Sequence, residues 1–227
     1  RDLHSFPTRR SSDLDYDNHR DVDLVLVPRA GAPRLAANQR DGSFRDMSAA
    51  SGLAGIVTSS TVVTAAAAGD LNGDDAPDLV LATGEGLVDA LSDGHGHFAR
   101  QVIAGDARDL AAVQVLDYDN DGLLDIIGWP SSGAAAPRLW RNEGSAWREV
   151  SASALAGASA SPASHPRSAR TVGAGDLDGD GDTDVVMVGA DGAWIWQNAG
   201  DPERRSIRIQ LQGLVSNRMG VGAKIQV

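Results

Sequence analysis

Closely spaced aspartates in four short segments are the residues of this chain best suited to chemistry. The segments are DYDNHRDVD from Asp15, DLNGDDAPD from Asp70, DYDNDGLLD from Asp117 and DLDGDGDTD from Asp176. We call them acidic loops I to IV and number the nine places of each loop from its first aspartate. Acids recur at places one, three, five and nine, with a few substitutions. This spacing is typical of a Ca²⁺ site, because calcium takes about six to eight oxygen ligands.

Loops III and IV follow the pattern most completely. A glycine, Gly122 or Gly181, follows the third acid, where a sharp bend needs a positive φ. The next residue is expected to offer its backbone carbonyl as a ligand. The predicted ligands of the two loops are Asp117, Asp119, Asp121, Leu123 and Asp125, and Asp176, Asp178, Asp180, Asp182 and Asp184. Without a cation, carboxylates this crowded would repel one another.

Loops I and II depart from the pattern. In loop II, Asn72 keeps an oxygen ligand and Asp75 takes the glycine place, where Asp tolerates left-handed backbone. We predict a working but weaker site there. In loop I, His19 and Arg20 stand at places five and six and suit calcium badly, so calcium binding by loop I stays open. The candidate ligands of the two loops are Asp70, Asn72, Asp74, Ala76 and Asp78, and Asp15, Asp17, Asp21 and Asp23.

Two alternatives compete with this interpretation. An EF-hand shares the opening of the pattern, but it needs a glutamate at its twelfth place and flanking helices. The twelfth places of loops II, III and IV are Leu81, Gly128 and Met187, and β-rich sequence flanks the loops. The loops are therefore predicted to join strand to strand. The second alternative, acidic turns that bind no metal, is disfavoured by four copies in phase with strands.

Each loop belongs to a longer repeat. The first aspartates are 55, 47 and 59 residues apart, and a period of about 40–50 residues with several short strands is typical of propeller blades. In the third unit, strands are predicted over 113–116, 126–129, 138–142 and 147–150. The small residues 65–68 are predicted to form an inner strand rather than a helix. We therefore predict an all-β fold, a partial β-propeller of about four four-stranded blades with Ca-binding loops, over residues 15–200.

The repeat units resemble FG-GAP/VCBS-type repeats, the calcium-loop propeller blades of integrin α-subunit heads and many secreted bacterial proteins. From Arg205 the tail is similar to the opening of an ASPIC/UnbV domain, with matches at Ser216, Asn217, Arg218, Gly220, Gly222 and Ala223. Together the two parts look like the cartilage-acidic-protein (ASPIC/UnbV) family. The resemblance implies an extracytoplasmic calcium-binding propeller, often assigned to adhesion or interaction, followed over 201–227 by the first strands of a C-terminal β domain.

The two ends of the chain break the pattern. Residues 1–14, RDLHSFPTRRSSDL, resemble the translation of a sequencing-library adapter and lack the apolar stretch of a signal peptide. We interpret them as a non-native, adapter-derived leader that replaces the strand expected before Asp15, with a short natural Arg/Ser-rich leader as the alternative. We also expect the tail domain over 201–227 to be truncated, so that the chain is a fragment. No signal sequence is visible, and a location outside the cell, in the periplasm or at the cell surface follows from the resemblance.

Composition limits the classes of partner. The net charge is −11, and 17 of the 31 acidic residues lie within the four loops. The acidity is thus concentrated at the predicted metal sites, and nucleic acid is not a favoured partner. No apolar run is long enough for a membrane span. The absence of cysteine excludes disulfides and thiol chemistry.

Three functions fit these observations. The first is a calcium-stabilised, non-catalytic module whose propeller rim binds a protein or a carbohydrate. The second is a scaffold or ancillary part of a secreted polysaccharide-active enzyme, although no catalytic cleft is evident. The third is a structural repeat array without a partner. Trp129, at a strand end before a proline, is the aromatic best placed to contact a ligand. His95 and His97 are predicted to be solvated turn residues rather than a transition-metal site.

Overall fold

The computed structural model of the chain describes residues 10–212 apart from 18, 20, 29–30, 132–136, 151–168, 191, 201–202, 204–206, 208 and 210. Within these residues the fold consists of strands and one short 3₁₀ helix, Leu53–Gly55. In chain order the strands are β1 (Arg10–Leu14), β2 (Asp23–Val27), β3 (Arg34–Asn38), β4 (Phe44–Asp46), β5 (Val63–Gly69), β6 (Asp78–Thr83), β7 (Gly86–Ser92), β8 (Phe98–Ala104), β9 (Leu110–Leu116), β10 (Asp125–Pro130), β11 (Arg138–Asn142), β12 (Trp147–Val150), β13 (Ala169–Gly175), β14 (Asp184–Gly189) and β15 (Gly192–Trp196).

The strands form four antiparallel sheets in which each strand pairs with the next one along the chain. Sheet I contains β1–β4, sheet II β5–β8, sheet III β9–β12 and sheet IV β13–β15. Each acidic loop joins the first two strands of its sheet, so the predicted all-β fold and the strand-to-strand position of the loops are confirmed. Among the described residues the four sheets do not close into a ring, and no helix is long and apolar enough to cross a bilayer.

Strand β1 lies in the segment that we interpreted from its sequence as a non-native leader. Arg10–Leu14 pairs with β2 from Arg10 opposite Val27 to Leu14 opposite Asp23. The pairing satisfies backbone N–H and C=O groups of β2, and Leu14, only 2% exposed, joins the core between sheets I and II. Residues 10–14 therefore form the first strand of sheet I, which the sequence pattern did not predict, while the interpretation of 1–14 as a non-native leader stays a prediction. Residues 1–9 and nearly all of the predicted tail domain lie outside the described residues.

The core lies between facing sheets rather than at one centre. In β6, Leu79 and Leu81 pack toward sheet I, whereas Val80 and Ala82 pack toward sheet III. Side chains of a strand alternate between its two faces, so a central strand that is covered on both sides reads as one continuous apolar run. Burial on both faces also corrects the prediction for Trp129, which is only 3% exposed and has its ring centroid 6.1 Å from that of Trp196.

The first strands of sheets II, III and IV lie side by side, with β9 between β5 and β13. Small residues allow this approach. The predicted inner strand over 65–68 is confirmed as part of β5. At its end, a Cβ added to Gly69 would lie 2.9 Å from Leu124 Cδ1 and 3.0 Å from Val115 Cγ2. The close packing of first strands brings successive acidic loops to one another.

Candidate metal centre

The aspartate at place nine of each loop is a buried brace at the start of the second strand. The four residues, each 1% exposed or less, are Asp23, Asp78, Asp125 and Asp184. One carboxylate oxygen accepts the N–H of place two, at 3.3, 2.9, 3.1 and 2.8 Å in loops I to IV. The other accepts an N–H at the end of the third strand, from Asn38, Ser92, Asn142 and Asn198, at 2.7–2.8 Å. This aspartate therefore closes the loop onto its own sheet.

Burial changes the acidity of these braces. It raises the pKa of Asp78 to about 6 and that of Asp125 to about 7, although the backbone N–H groups that each accepts act in the opposite direction. Burial likewise raises the pKa of Asp23. A cation beside such a carboxylate favours its ionised form. A positive charge next to these buried aspartates would therefore stabilise their ionised form.

The acids at places one and five accept hydrogen bonds from backbone N–H groups of their own loop. In loop III, Asp117 accepts the N–H groups of Asp121 at 3.1 Å and Gly122 at 2.9 Å. In loop II, Asp70 accepts the N–H groups of places four, five and six at 2.8–3.1 Å. The place-five acid accepts the N–H of place seven at 2.8–3.0 Å in loops II, III and IV. These hydrogen bonds fold each loop around its own acids at places one and five.

In loops II, III and IV, places four and six have left-handed backbone. Place six was predicted to do so, and its φ is 68° at Asp75, 85° at Gly122 and 95° at Gly181. Place four was missed, although its φ is 73° at Gly73, 56° at Asn120 and 85° at Gly179. The signal was present, because place four is Asn or Gly in every loop and these residues tolerate positive φ best.

Carboxylate oxygens converge in three of the loops. In each of the following groups, one oxygen per residue lies within 4.8 Å of the others: Asp15, Asp17, Asp21 and Asp23; Asp117, Asp119 and Asp125; Asp176, Asp178 and Asp184. Loop I, which the sequence left open, gathers all four of its candidate aspartates, while His19 Nδ1 lies 2.9 Å from Asp17 Oδ2. The structure therefore groups ligands in loops I, III and IV.

Other candidate ligands do not join these groups. Asp121, Asp180 and Asp182 lie outside the groups of loops III and IV, and loop II forms no such group among the described residues. Instead, Asn72 donates to Asp74 Oδ2 at 2.9 Å within loop II. The carbonyl ligands at place seven, Ala76, Leu123 and Asp182, stay predictions. The donors that do converge are hard oxygens, which fit Ca²⁺ and similar cations better than soft transition metals.

Polar side chains from the third strand region also reach the loops. Arg141 Nη2 lies 2.9 Å from Asp119 Oδ2 and 2.9 Å from Asp121 Oδ2. In loop I, Arg40 Nε lies 2.6 Å from Asp21. In loop IV, the Gln197 amide donates to Asp178. Sequence reasoning missed these groups, although the RN and QN pairs at 141–142 and 197–198 recur at equivalent places.

Asparagines connect neighbouring sheets through the loops. Asn142 of sheet III donates through Nδ2 to the carbonyl of Leu71 in loop II at 2.7 Å. Asn198, after sheet IV, donates to the carbonyl of Tyr118 in loop III at 2.6 Å. Leu71 and Tyr118 both occupy place two, whose N–H is bonded by the place-nine aspartate. Each of these two loops is therefore held by its own sheet and by the next one.

Consecutive antiparallel sheets with an acidic loop between the first two strands define a class of repeat protein. An FG-GAP-like repeat model matches residues 15–81 and 117–187, more than half of the chain. The chain belongs to the FG-GAP-like repeat family. The matched residues do not include the tail over 201–227, so its likeness to an ASPIC/UnbV domain stays a prediction.

The chain is similar to solved structures at low sequence identity, and one of them shares its fold. An Agrocybe aegerita lectin, solved for its specific recognition of non-reducing terminal N-acetylglucosamine, is 19% identical with a TM-score of 0.53. The comparison covers 87% of this chain and 51% of the lectin, so the chain spans about half of that protein. A V. cholerae biofilm matrix protein is 16% identical with a TM-score of 0.44, over 86% of this chain and 30% of the other. None of the curated proteins matches the chain.

Proposed function

We propose that the chain is a calcium-binding, non-catalytic interaction module that works outside the cytoplasm, with its sheets arranged as propeller blades. The observation that carries this proposal is the convergence of carboxylate oxygens at one structural place in three loops. Repetition at equivalent places separates these groups from the scattered acids of an ordinary protein surface. Membership of the FG-GAP-like repeat family and the fold shared with a lectin support it.

The ion has a structural task in this proposal. The residues that hold it are the converging aspartates, including the place-nine braces Asp125 and Asp184, which also bind the third strand region. A bound cation supplies positive charge that removes the repulsion between these carboxylates. The ligands converge only when loop and sheet are folded, so binding stabilises the folded state. Expected dissociation constants of about 10⁻⁴–10⁻³ M suit extracellular calcium.

Thermal unfolding with and without calcium tests the metal site. At about 10 mM Ca²⁺, each occupied loop should add about 1–3 kcal/mol to the free energy of unfolding. Asp178→Ala should lower the melting temperature in calcium and change little in chelator. The control is Asp41→Ala, because Asp41 is an exposed turn acid bonded to Ser43 outside the loops. Equal losses for Asp178→Ala under both conditions, or no calorimetric heat with calcium, would reject the proposal.

A cavity between sheet II and the segment that links sheet I to sheet II favours carbohydrate as the ligand class. Its volume is about 380 Å³, and it is lined by Gly55, Ile56, Val57, Thr58, Thr61, Thr83, Glu85, Val88 and Arg100. Consecutive turns of an antiparallel meander lie at opposite ends of a sheet, so the β6–β7 turn places this cavity away from loop II. Ile56, Val57 and Val88 form a buried apolar floor. Hydroxyl groups and the exposed charges of Glu85 and Arg100 surround it, which suits a sugar ring.

A glycan array tests this assignment. Wild-type protein should retain a defined glycan, and Arg100→Met together with Glu85→Gln should abolish retention while leaving stabilisation by calcium intact. The control is Arg34→Met, since Arg34 is an exposed strand residue outside the cavity. Retention that survives both cavity substitutions would place the ligand elsewhere, and the absence of any glycan would favour a protein partner.

A further inference from the structure

Arg141 places a positive charge directly on acidic loop III. Its Nη2 atom contacts Asp119 and Asp121 at 2.9 Å each, and these side chains are only 11% and 15% exposed. The hydrogen bond to Asp121 further raises the pKa of Arg141. A guanidinium is charged at any physiological pH. Loop III is therefore contacted by a permanent positive charge from β11 of its own sheet.

This cation engages carboxylates that a metal ion would need. Asp119 belongs to the converging group with Asp117 and Asp125, and its Oδ2 atom lies 2.9 Å from Arg141 Nη2. Asp121 stands at a predicted ligand place, yet it lies outside the converging group and pairs with Arg141 instead. The guanidinium thus already neutralises part of the charge that would attract calcium to loop III.

The same place in the other sheets holds no charge. Arg141 directly precedes Asn142, whose N–H the place-nine aspartate of loop III accepts. In sheets I, II and IV the residues directly before the equivalent N–H donors are Ala37, Leu91 and Gln197. Gln197 makes the neutral counterpart of the Arg141 contact, by donating to Asp178 of loop IV. Loops III and IV therefore differ at one equivalent residue by a whole positive charge.

We propose that Arg141 determines the metal affinity of loop III, by weakening its binding of calcium and by holding the loop folded when calcium is absent. The inference rests on the proposed function, because it concerns the ion that the loops bind. A unit charge one contact beyond the ligand oxygens should weaken binding of a divalent cation on the order of tenfold, even when it is screened as in water. Loop IV, with Gln197, is then the tighter site.

Swapping the residue types at positions 141 and 197 separates their effect on calcium affinity from that of the other loop residues. The variants are Arg141→Gln and Gln197→Arg, with Arg148→Gln as control. Arg148 lies on β12 of the same sheet and loses the same charge, but it pairs with Glu143 instead of a loop acid. Hydrogen exchange of peptides over 117–125 and 176–184, measured in the whole chain along a calcium titration, gives a separate midpoint for each loop. The loop amides bonded to Asp117 and Asp176 report on its folding.

The expected result is a shift of opposite sign in the two variants. Arg141→Gln should lower the calcium midpoint of loop III about tenfold and reduce its protection in chelator. Gln197→Arg should raise the midpoint of loop IV about tenfold, and Arg148→Gln, whose charge pairs with Glu143 and touches no loop acid, should shift the loop III midpoint much less than Arg141→Gln. If Arg141→Gln does not fold, Gln197→Arg alone decides.

Two failures can be told apart. Calcium-dependent protection in the wild type, with an unchanged or raised loop III midpoint in Arg141→Gln, would overturn the role of Arg141 and keep the metal site. In that case Arg141 would orient the ligand carboxylates of loop III rather than weaken calcium binding. No calcium-dependent protection at any loop of the wild type would overturn the proposed function and this inference together.

Discussion

Replacing Asp89 by asparagine should stabilise the protein at neutral pH and leave its stability at pH 4 nearly unchanged. Asp89 lies in the middle of β7, opposite Val80 on one side and Gln101 on the other, and it is fully buried. Neither of its carboxylate oxygens has a hydrogen-bond partner in the described part of the chain. Burial, with a smaller contribution from the charge of Asp78, raises the pKa of Asp89 to about 8.

The size of the effect follows from linkage between protonation and folding. Because the folded-state pKa is raised, the stability contributed by protonation is complete below about pH 4 and is lost as the pH rises toward about 8. Each pH unit within this window costs about 1.4 kcal/mol, which amounts to about 4 kcal/mol at pH 7. The asparagine amide has the same shape and no titration. It is as poorly bonded as the protonated acid, so the two proteins should be equally stable near pH 4.

Denaturant unfolding of metal-free protein between pH 4 and pH 8 measures this difference, because the absence of calcium removes linkage to the loops. The free energy of unfolding of Asp89→Asn, relative to wild type, should increase steadily with pH. Asp41→Asn is the control with a nearly flat difference, since hydrogen bonds from Ser43 lower the pKa of the exposed Asp41, so that its titration is almost complete below this pH range. A difference that stays constant from pH 4 to pH 8 would refute the argument, because Asp89 would then not titrate in this window.

Two further substitutions test contacts that hold the fold together, one between neighbouring sheets and one within sheet II. Asn142→Ala should cost about 1–3 kcal/mol, because it leaves a carbonyl of loop II without its partner from the next sheet. Asn38→Ala should cost less, since Asn38 donates within its own sheet, and equal losses would argue against a special role for the joint between sheets. Gly86→Ala should lower the melting temperature by several degrees, because Gly86 has a φ of 134° and an added Cβ would lie 2.3 Å from the carbonyl oxygen of Ala104. Gly84→Ala, where a Cβ meets nothing within 4 Å, is its control, and similar melting of the two variants would contradict the steric argument.

The fold was readable from the sequence where local pattern and tertiary pairing agree. Strands β11 and β12 have the predicted bounds, because short apolar segments alternate there with a polar turn. Strand β1 was not readable, since RSSDL has no apolar alternation and becomes a strand through its pairing with β2. Trp129 was misjudged for a related reason, because a sequence does not show that a strand is covered on both faces.

The candidate site was readable as a set of residues but not as a set of roles. Spacing alone gave Asp125 and Asp180 equal standing as ligands, yet Asp125 is a buried brace whereas Asp180 lies exposed outside the converging group. Arg141 was missed because the register of β9, β10 and β11 brings it to loop III from about twenty residues away. A buried carboxyl such as Asp89 is likewise invisible within an apolar strand.

The bonds of place two make the loops part of the packing between sheets. In loops II and III, the place-two N–H is held by an aspartate of the same sheet and the place-two carbonyl by an asparagine of the next one. A cation bound by the place-nine aspartate should therefore also affect the asparagine hydrogen bond to the neighbouring sheet. In sheet II, Ser92 occupies the place of Asn142 and Asn198, and among the described residues it makes no hydrogen bond to loop I. Within the described part of the chain, the contact between sheets I and II therefore lacks the asparagine bond that the other two contacts have. That contact depends on apolar packing and on the bond from Phe98 N–H to the carbonyl of Ser51, so calcium should stabilise it least.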